Sequence, residues 1–365
     1  MSNNAIPTVL VGCGAVSRFF YAPSLTALEA KGLLRVEALV DPSAENLRAL
    51  AEVFPKAQKA ASLADLPLAS RLVIIASPPK FHAEQSSDAL KRGAAVLCEK
   101  PMANTVAEAG TMIDAARESG SLLAVGLYKR FFPACEAIKG LLEKQPLGRL
   151  KHFEIEEGGK FGWQAASDSF FRKSVTPGGV LLDIGVHVLD LLLWWLDEPA
   201  GVDYEDDAIN GQEANCKIVL TYPEGVRGEV RLSRDWGTRN EYTFRFERGV
   251  VRYKVNDANH LEILADGMPA LLAGSLQEVS RAGERIFPRG MQRTNPQSFI
   301  EQIRNVAAAM QGCQRVRVPG EEGIRSLRLI ERCYANRRLM PMPWLTACEA
   351  DAARRLSETK GAPAK

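Results

Sequence analysis

Residues 9–20 read V-L-V-G-C-G-A-V-S-R-F-F, so a short apolar strand leads directly through a G-C-G loop into a helical pattern. Glycines in such a loop permit a tight turn and let backbone N–H groups approach a pyrophosphate at the start of the helix. Ser17 occupies the third position of the G-x-G-x-x-G fingerprint and is still small enough for the helix to pack on the strand. The loop predicts a Rossmann dinucleotide-binding domain. The residues expected to contact the cofactor here are Gly12, Gly14, Ala15 and Val16.

The second apolar run, Leu33–Val40, ends at Asp41, where a Rossmann domain receives the adenosine ribose. The Asp41 carboxylate can accept hydrogen bonds from the ribose hydroxyls and would repel a 2′-phosphate. No arginine or lysine follows it immediately, so the sequence favours NAD over NADP as the cofactor. Asp41 can also cap the helix that begins in D-P-S-A-E, and the two roles are compatible.

Strand-like and helical segments alternate through the first third of the chain. Short apolar runs separated by good helix formers predict βαβ units, right-handed crossovers and a parallel sheet. The predicted strands are Thr8–Val11, Leu33–Val40, Leu72–Ala76, Ala94–Cys98 and Leu122–Val125. We therefore expect a first domain over residues 1–130.

Two loops are expected at the carboxyl edge of this sheet, where open α/β sheets bind their ligands. The fourth strand ends in E-K-P, which should lie beside the nicotinamide half of a dinucleotide, and Pro101 can adopt a cis bond there. The third strand ends in S-P-P-K-F-H, a second rigid loop, whose His82 either packs on the cofactor or only caps the next helix. The predicted cofactor contacts of this edge are Ser77, Pro78, His82, Glu99 and Lys100.

The pattern changes after about residue 148, where apolar and polar residues partly alternate and few helices intervene. Such alternation predicts a mostly antiparallel sheet with one face covered. The predicted strands are Leu150–Glu156, Lys217–Tyr222, Gly228–Arg234, Tyr242–Glu247, Val250–Val255 and Leu261–Leu264. The predicted fold class is α/β: an N-terminal Rossmann domain, a C-terminal α/β domain with a mostly antiparallel open sheet over residues 131–345, and a tail over residues 346–365.

An almost wholly apolar run, 178–196, is interrupted by Asp183, His187 and Asp190. On a helix these three residues fall at i, i+4 and i+7 and form one polar stripe on a rod that is otherwise buried. Buried charges are costly unless they are paired or take part in chemistry. Asp183 and His187 are therefore either a structural pair or part of an active site. The helix should cover the C-terminal sheet.

Composition excludes several classes of protein. The 365 residues are 46% hydrophobic and 25% charged with a formal net charge of +2, which offers no electrostatic attraction for nucleic acid or an anionic membrane. The first residues lack a basic leader and a cleavable apolar segment, so no signal peptide is expected. The seven scattered cysteines include no C-x-x-C pair, and no zinc-ligand spacing is present. The sequence thus predicts a reduced, metal-free cytoplasmic protein.

These motifs together, G-x-G, S-P-P-x-x-H, E-K-P and G-G-x-x-x-D-x-G-x-H-x-x-D, occur in this order over residues 6–200. The combination resembles the glucose–fructose oxidoreductase/inositol dehydrogenase/rhizopine catabolism (Gfo/Idh/MocA) family of dehydrogenases. The resemblance implies hydride transfer between nicotinamide and a hydroxyl-bearing carbon of a sugar, cyclitol or nucleotide-linked sugar. By position, Lys100 matches the family's active-site lysine, Asp183 its aspartate and His187 its histidine. The expected substrate loops, Gly158–Arg172 and Trp236–Asn240, match no one substrate.

The residues themselves agree with this chemistry. Oxidising an alcohol needs a base for the hydroxyl proton, and His187 titrates nearest to neutral pH. Asp183 could orient the imidazole, while Lys100 holds the substrate oxygen or acts as the proton donor itself. The sequence does not separate these assignments. The candidate substrate contacts are Arg130, Trp163 and Arg172. Alternatively, Arg130 is a structural anchor between domains and Trp163 is a core residue.

Two other readings of the sequence stay open beside a polyol dehydrogenase. One is a non-catalytic dinucleotide-binding sensor, although retention of Lys100, Asp183 and His187 argues against it. The other is a dehydrogenase of a non-sugar substrate such as a dihydrodiol or a tetrapyrrole. In each case the expected partners are a small molecule and further copies of the chain, as a homodimer or homotetramer through the C-terminal sheet.

Overall fold

The structure is a computed structural model that describes residues 5–64, 66–162, 171–173, 175–255, 257–267, 272–275 and 296–358. Packing divides the chain into two units. Within the described residues, the first unit comprises 5–131 and 296–328. The second comprises 132–162, 171–275 and 329–358, with the gaps given above.

The first unit is a parallel six-stranded sheet with helical crossovers. Its strands are β1 (Ile6–Val11), β2 (Leu34–Val40), β3 (Gln58–Ala60), β4 (Leu72–Ile75), β5 (Ala95–Glu99) and β6 (Leu123–Gly126). Its crossover helices are α1 (Ala22–Ala30), α2 (Ala44–Ala51), α3 (His82–Lys91) and α4 (Val106–Ser119). The strand order is β3-β2-β1-β4-β5-β6, and every neighbouring pair is parallel. The order reverses direction between β1 and β4, which is where such sheets bind ligands at their carboxyl ends.

Local sequence explains these elements. All four residues of β4, L-V-I-I, are buried, as expected for a central strand covered on both faces. Ser43 caps α2 by accepting a hydrogen bond from the Asn46 amide, and Thr105 caps α4 in the same way. Gly120 ends α4 in the left-handed conformation. The predicted Rossmann domain is confirmed.

Helix α7 (Pro296–Met310) belongs to this first unit, which corrects the expectation that 131–345 forms one continuous domain. Its apolar residues, among them Phe299 and Ile303, join a core cluster with Leu10 and Leu25. The Phe299 ring stacks on that of Tyr128 at 5.0 Å. The chain therefore returns to the first unit because α7 completes its core.

The second unit is built on a nine-stranded sheet. Its strands are β7 (Leu150–Gly158), β8 (Gly201–Asp206), β9 (Asn215–Thr221), β10 (Arg227–Ser233), β11 (Glu241–Phe246), β12 (Gly249–Lys254), β13 (His260–Ala265), β14 (Leu272–Ser275) and β15 (Arg337–Leu339). Its helices are α5 (Pro133–Lys144), α6 (Val186–Leu196), the end of α8 (Gly320–Ala335) and α9 (Ala347–Glu358). The order is β14-β13-β12-β11-β7-β10-β9-β8-β15, and only β7–β10 and β8–β15 pair in parallel. The mostly antiparallel sheet is confirmed.

Helix α6 covers one face of this sheet. Trp195 packs edge-on against Phe244 with ring centroids 5.5 Å apart, and its indole N–H donates to the carbonyl oxygen of Cys135. The opposite face carries charged side chains, such as the Lys217–Glu229 ion pair at 2.8 Å. The alternation of strand residues thus produces one apolar and one polar face, as predicted. The tail predicted over 346–365 contains α9.

Candidate functional site

The glycine loop follows β1, and its two glycines are required for different reasons. Gly12 adopts φ +84°, and a Cβ there would lie 2.5 Å from the backbone nitrogen of Ser77. Both the conformation and the close approach exclude a side chain, so the protein's own backbone requires Gly12. A Cβ on Gly14 would meet no atom within 4 Å. The approach to Gly14 is open, as a pyrophosphate at a helix N-terminus needs.

Helical structure begins at Ala15, continues through Val16 and includes a π-helical turn, Ser17–Tyr21, ahead of α1. Ser17 is fully buried, and its hydroxyl donates a hydrogen bond to the carbonyl oxygen of Gly12. The serine at the third fingerprint position therefore has its polar atom satisfied by the loop that precedes it.

Asp41 lies at the end of β2 and contacts the glycine loop. One carboxylate oxygen accepts the Cys13 N–H at 2.7 Å, and the other accepts the Ser43 N–H at 2.8 Å. The Asn46 side-chain amide is also within hydrogen-bond distance. Because Ser43 is the residue that caps α2, Asp41 is not its cap. Asp41 joins the two strand ends that would hold an adenosine ribose.

His82 connects the two predicted edge loops. It is 1% exposed, and its two ring nitrogens lie 2.8 Å from the carbonyl oxygen of Pro101 and 2.7 Å from that of Ser77. Burial lowers the pKa of His82 below its ordinary value. The Ser77 hydroxyl donates to Gln85, and Pro78 precedes the short helical turn that leads to α3. His82 thus fixes both loops.

Glu99 and Lys100 end β5, and the Lys100–Pro101 bond is cis. Glu99 is 6% exposed, and one of its carboxylate oxygens accepts the Tyr21 hydroxyl at 2.7 Å. Its other oxygen accepts the Lys100 N–H at 3.1 Å. Burial raises the pKa of the Glu99 carboxyl, and the bond from Tyr21 opposes that rise. The π-helical turn thereby holds the strand end that carries Lys100.

These residues fit a dinucleotide. Open space at Gly14, a helix N-terminus behind it and a carboxylate at the end of β2 are the three parts that a Rossmann domain uses for pyrophosphate and ribose. The loops that begin at Ser77 and Lys100 follow the neighbouring strands β4 and β5 at the same sheet edge. The first unit therefore carries a candidate dinucleotide site.

The polar stripe of Asp183, His187 and Asp190 lies in the second unit. Asp183 belongs to a π-helical turn, Leu181–Gly185, that continues into α6. His187 is 6% exposed and Asp190 1% exposed, so these two residues of the stripe are buried as their apolar surroundings predict, whereas Asp183 is partly exposed. The helix expected in this run begins with a π-helical turn rather than an α-helical one.

Arg234 forms an ion pair with Asp183, a contact that the sequence did not indicate. Arg234 follows β10 directly, and its guanidinium lies 5.6 Å from the centre of the Phe161 ring. Burial lowers the pKa of Arg234 to about 10, which leaves it protonated at neutral pH.

The two predicted substrate loops lie side by side where they are described. The Gly158 N–H donates to the Asn240 side-chain oxygen at 2.9 Å, and the Asn240 amide returns a bond to the Gly158 carbonyl oxygen. The Phe161 N–H donates to the carbonyl oxygen of Arg234. Trp236, which lies between Arg234 and Asn240 in the sequence, is 63% exposed.

The three candidate substrate contacts differ in their surroundings. Arg130 is 2% exposed, and both of its terminal nitrogens contact Glu322, at 3.1 and 3.2 Å, which favours the anchoring role. Arg172 is exposed, and its carbonyl oxygen accepts the N–H groups of Val175 and Thr176. Trp163 lies outside the described residues.

Two findings concern the described residues as a whole. No helix among them combines the length and apolarity needed to cross a membrane. Across the same ranges, no group of three or more histidine, cysteine or acidic side chains is arranged to hold a metal ion.

Comparison with known sequences places this architecture. Residues 6–127 match the domain described as oxidoreductase family, NAD-binding Rossmann fold, and residues 135–252 match the GFO/IDH/MocA C-terminal domain. The chain therefore belongs to the Gfo/Idh/MocA oxidoreductase family, and the resemblance drawn from the motifs is confirmed. Its first unit is an NAD-binding Rossmann domain.

The chain is also similar to individual named proteins. A D-glucoside 3-dehydrogenase of Escherichia coli is 30% identical over 209 residues, 55% of this chain and 56% of that protein. The rhizopine catabolism protein MocA of Rhizobium meliloti is 28% identical over 235 residues, 62% of this chain and 70% of that protein. The alignment to the first of these spans about half of either sequence.

Solved structures show the same fold over nearly the whole chain. Levoglucosan dehydrogenase in complex with NADH and levoglucosan superposes with a TM-score of 0.77 at 20% identity, covering 91% of this chain and 97% of that one. A 3-ketoreductase from Actinomadura kijaniata, in complex with NADP and TDP-benzene, superposes with a TM-score of 0.75 at 21% identity, covering 93% and 100%. These similarities confirm the predicted fold class.

Proposed function

We propose that this protein transfers hydride between a nicotinamide dinucleotide and a hydroxyl-bearing carbon of a sugar, cyclitol or nucleotide-linked sugar. The observation that carries the proposal is the convergence of the open glycine loop, Asp41 and the Glu99–Lys100 turn on the carboxyl edge of one parallel sheet. Relatives named as glucoside, levoglucosan and anhydrofructose enzymes support a polyhydroxylated substrate.

The first unit would hold the cofactor. Backbone N–H groups after Gly12 bind the pyrophosphate, and Asp41 receives the adenosine ribose, which favours NAD over NADP. When bound, the nicotinamide supplies the acceptor or donor of hydride. Ser77, Pro78 and Glu99 orient the nicotinamide end, and His82 holds their two loops at a fixed separation.

Three side chains would handle the substrate proton. His187 takes the hydroxyl proton during oxidation and returns it during reduction. Asp183, which pairs with Arg234, stabilises the protonated imidazole. Lys100 binds the substrate oxygen and stabilises the negative charge that develops on it. Lys100 as the proton donor is the alternative, and a pH profile of the two single variants separates them.

Substrate contacts in the second unit would come from the paired loops around Gly158 and Asn240, together with Arg172 and Trp163. Arg130 acts as an anchor in this proposal, because Glu322 occupies its guanidinium. Assembly into a homodimer or homotetramer through the open sheet, and a cytoplasmic location, stay predictions from the sequence.

Hydride transfer followed at the nicotinamide absorbance band tests the proposal directly. NAD and NADP are offered in both directions with free sugars, inositols, nucleotide sugars and a trans-dihydrodiol. Lys100→Met and His187→Ala should each lower kcat by about 10²- to 10⁴-fold with little change in dinucleotide affinity.

Two matched variants serve as controls. Lys80→Met removes an exposed lysine from the neighbouring loop, and His260→Ala removes a half-exposed imidazole, so both should retain turnover. Near-wild-type turnover by Lys100→Met would contradict the assigned site. A wild-type preference for NADP would contradict the role of Asp41. Turnover confined to the dihydrodiol would exclude a sugar substrate.

A further inference from the structure

One residue satisfies the start of the helix that carries Asp183 and His187. The Glu213 carboxylate oxygen Oε1 accepts the N–H of Gly179 at 2.9 Å and that of Leu181 at 3.0 Å. The Glu213 carbonyl oxygen accepts the N–H of Val180 at 2.9 Å. The first N–H groups of a helix have no partner within it, and here a single residue binds three in succession.

Other side chains hold the same junction in place. The Tyr334 hydroxyl donates to the same Oε1 of Glu213 at 2.8 Å. The side-chain amide of Gln212 donates to the carbonyl oxygens of Thr176, at 2.6 Å, and Gly178, at 3.2 Å. Residues 212–213 therefore form hydrogen bonds with both the segment before the helix and its first turn.

The glycine pair at the start of the motif records how close this contact is. A Cβ on Gly178 would lie 2.2 Å from the Tyr334 hydroxyl oxygen, and one on Gly179 would lie 2.0 Å from the Glu213 carbonyl oxygen. Neither distance leaves room for a side chain. The G-G pair thus permits the anchor to reach the helix backbone.

The anchor lies one turn ahead of Asp183. The Asp183 N–H donates to the Gly179 carbonyl oxygen at 3.1 Å, so the residue whose N–H is bound by Glu213 also holds the backbone of Asp183. A shift of the helix start would move the Asp183 carboxylate and, one turn later, the His187 imidazole. Catalysis is sensitive to such shifts, because a misplacement of about 1 Å can lower a rate about 100-fold.

We propose that Glu213 is a positioning residue, which sets the register of this helix and thereby the placement of Asp183 and His187. The inference rests on the proposed function, since it takes Asp183 and His187 to act in hydride transfer. Glu213 is 5% exposed and reaches the helix through the backbone N–H groups of Gly179, Val180 and Leu181.

Three variants and one control variant test the anchor. Glu213→Ala removes the side-chain acceptor, whereas Glu213→Gln keeps an oxygen where Oε1 accepts all three of its bonds. Asp206→Ala is the matched control, because Asp206 is also a buried carboxylate of the second unit but pairs with Arg337 and the Ala208 N–H instead. Tyr334→Phe removes only one donor and should give an intermediate effect.

The first readout is hydrogen exchange, without substrate, of the Gly179 and Leu181 amides, whose acceptor is the Glu213 side chain. Exchange should rise at least about tenfold in Glu213→Ala and stay near wild type in Glu213→Gln and Asp206→Ala. Unchanged exchange in Glu213→Ala would overturn the anchor. This measurement requires no turnover, so silence of the wild type across the substrate panel would contradict only the proposed function.

The second readout is kcat. Glu213→Ala should lower kcat by about 10- to 100-fold with dinucleotide affinity within about twofold of wild type, and Glu213→Gln should restore it. Asp206→Ala, compared at a similar loss of the urea midpoint, should keep kcat within about threefold. If Glu213→Ala lowers kcat no more than this control does, Glu213 is only structural and the proposal fails.

Discussion

Two helices of this protein begin with a π-helical turn, Ser17–Tyr21 behind the glycine loop and Leu181–Gly185 ahead of α6. The start of the first turn is held by its immediate neighbours, since the Ser17 hydroxyl donates to the Gly12 carbonyl oxygen and the Arg18 N–H to that of Gly14. Tyr21, at the end of that turn, donates to Glu99. The second is held by Glu213, which lies 32 to 34 positions further along the chain. Turns of this kind are frequent at functional sites.

The two turns differ in which part of the sequence determines their conformation. A local anchor is contained in a short motif, so the motif alone predicts both the loop and what it binds. A remote anchor requires two distant segments to fold against each other before the helix acquires its final register. Changes at the first turn should therefore act on dinucleotide binding, and changes at the second on turnover.

Among the variants that test this comparison, Gly12→Ala should have the largest effect on stability. A left-handed alanine whose Cβ lies 2.5 Å from a backbone nitrogen should cost about 4 kcal/mol in the free energy of unfolding. Gly14→Ala is the matched control, since its Cβ meets no atom, and it should keep the stability but lose dinucleotide affinity. Urea unfolding and dinucleotide titration of both variants provide the measurement. Equal stability of the two variants would contradict the assignment of Gly12 to the fold.

The same contrast explains how much the sequence reveals. Gly12, Asp41, the E-K-P turn and the polar stripe of 183–190 are each contained in a few consecutive residues, and all were predicted. Arg234 and Glu213 were missed, because each acts on a helix more than 25 residues away and sits in no motif. Their one sequence signal is weak: an arginine that ends a strand, and a glutamate ahead of one.

The predicted domain boundaries departed from the structure for the same physical reason. The boundary at 131–345 ignored the return of α7 to the first unit, which depends on apolar contacts between Phe299 and residues near 20 and 128. The edge strands β3 and β15 are three residues each and too short to show a period. Helix α5 lay at the predicted boundary and was overlooked.

A second prediction uses acid–base behaviour, because the two anchoring regions should weaken in opposite directions of pH. Burial lowers the folded pKa of His82, so its contribution is complete above about 6.5, its unfolded value, and is lost as the pH falls through the folded value. Burial raises the folded pKa of Glu213, so its contribution is complete below about 4.3 and is lost as the pH rises through the folded value.

The test is to measure the free energy of unfolding of wild type, His82→Gln and Glu213→Gln at several pH values. The value for each variant is subtracted from that of wild type, and the two differences are compared as functions of pH. The difference for His82 should shrink towards acid and that for Glu213 should shrink towards neutral pH, by about 1.4 kcal/mol for each tenfold change in proton affinity. Parallel slopes for the two variants would contradict the assigned causes.

The smallest effect should come from Ser17→Ala, which removes the hydroxyl that bonds to Gly12 but leaves the volume of the packed helix almost unchanged. Losing one buried hydrogen bond should cost about 1 kcal/mol of stability, measured by urea unfolding. The glycine loop is also held by Asp41 and by the contact of Gly12 with Ser77, so dinucleotide affinity should fall only about twofold. Ser24→Ala is the control for a lost hydrogen bond away from the loop, because it removes a buried hydroxyl that donates to the carbonyl oxygen of Phe20. A fall in kcat larger than that of Glu213→Ala would reverse the comparison, because the local turn, and not the remote one, would then limit the chemistry.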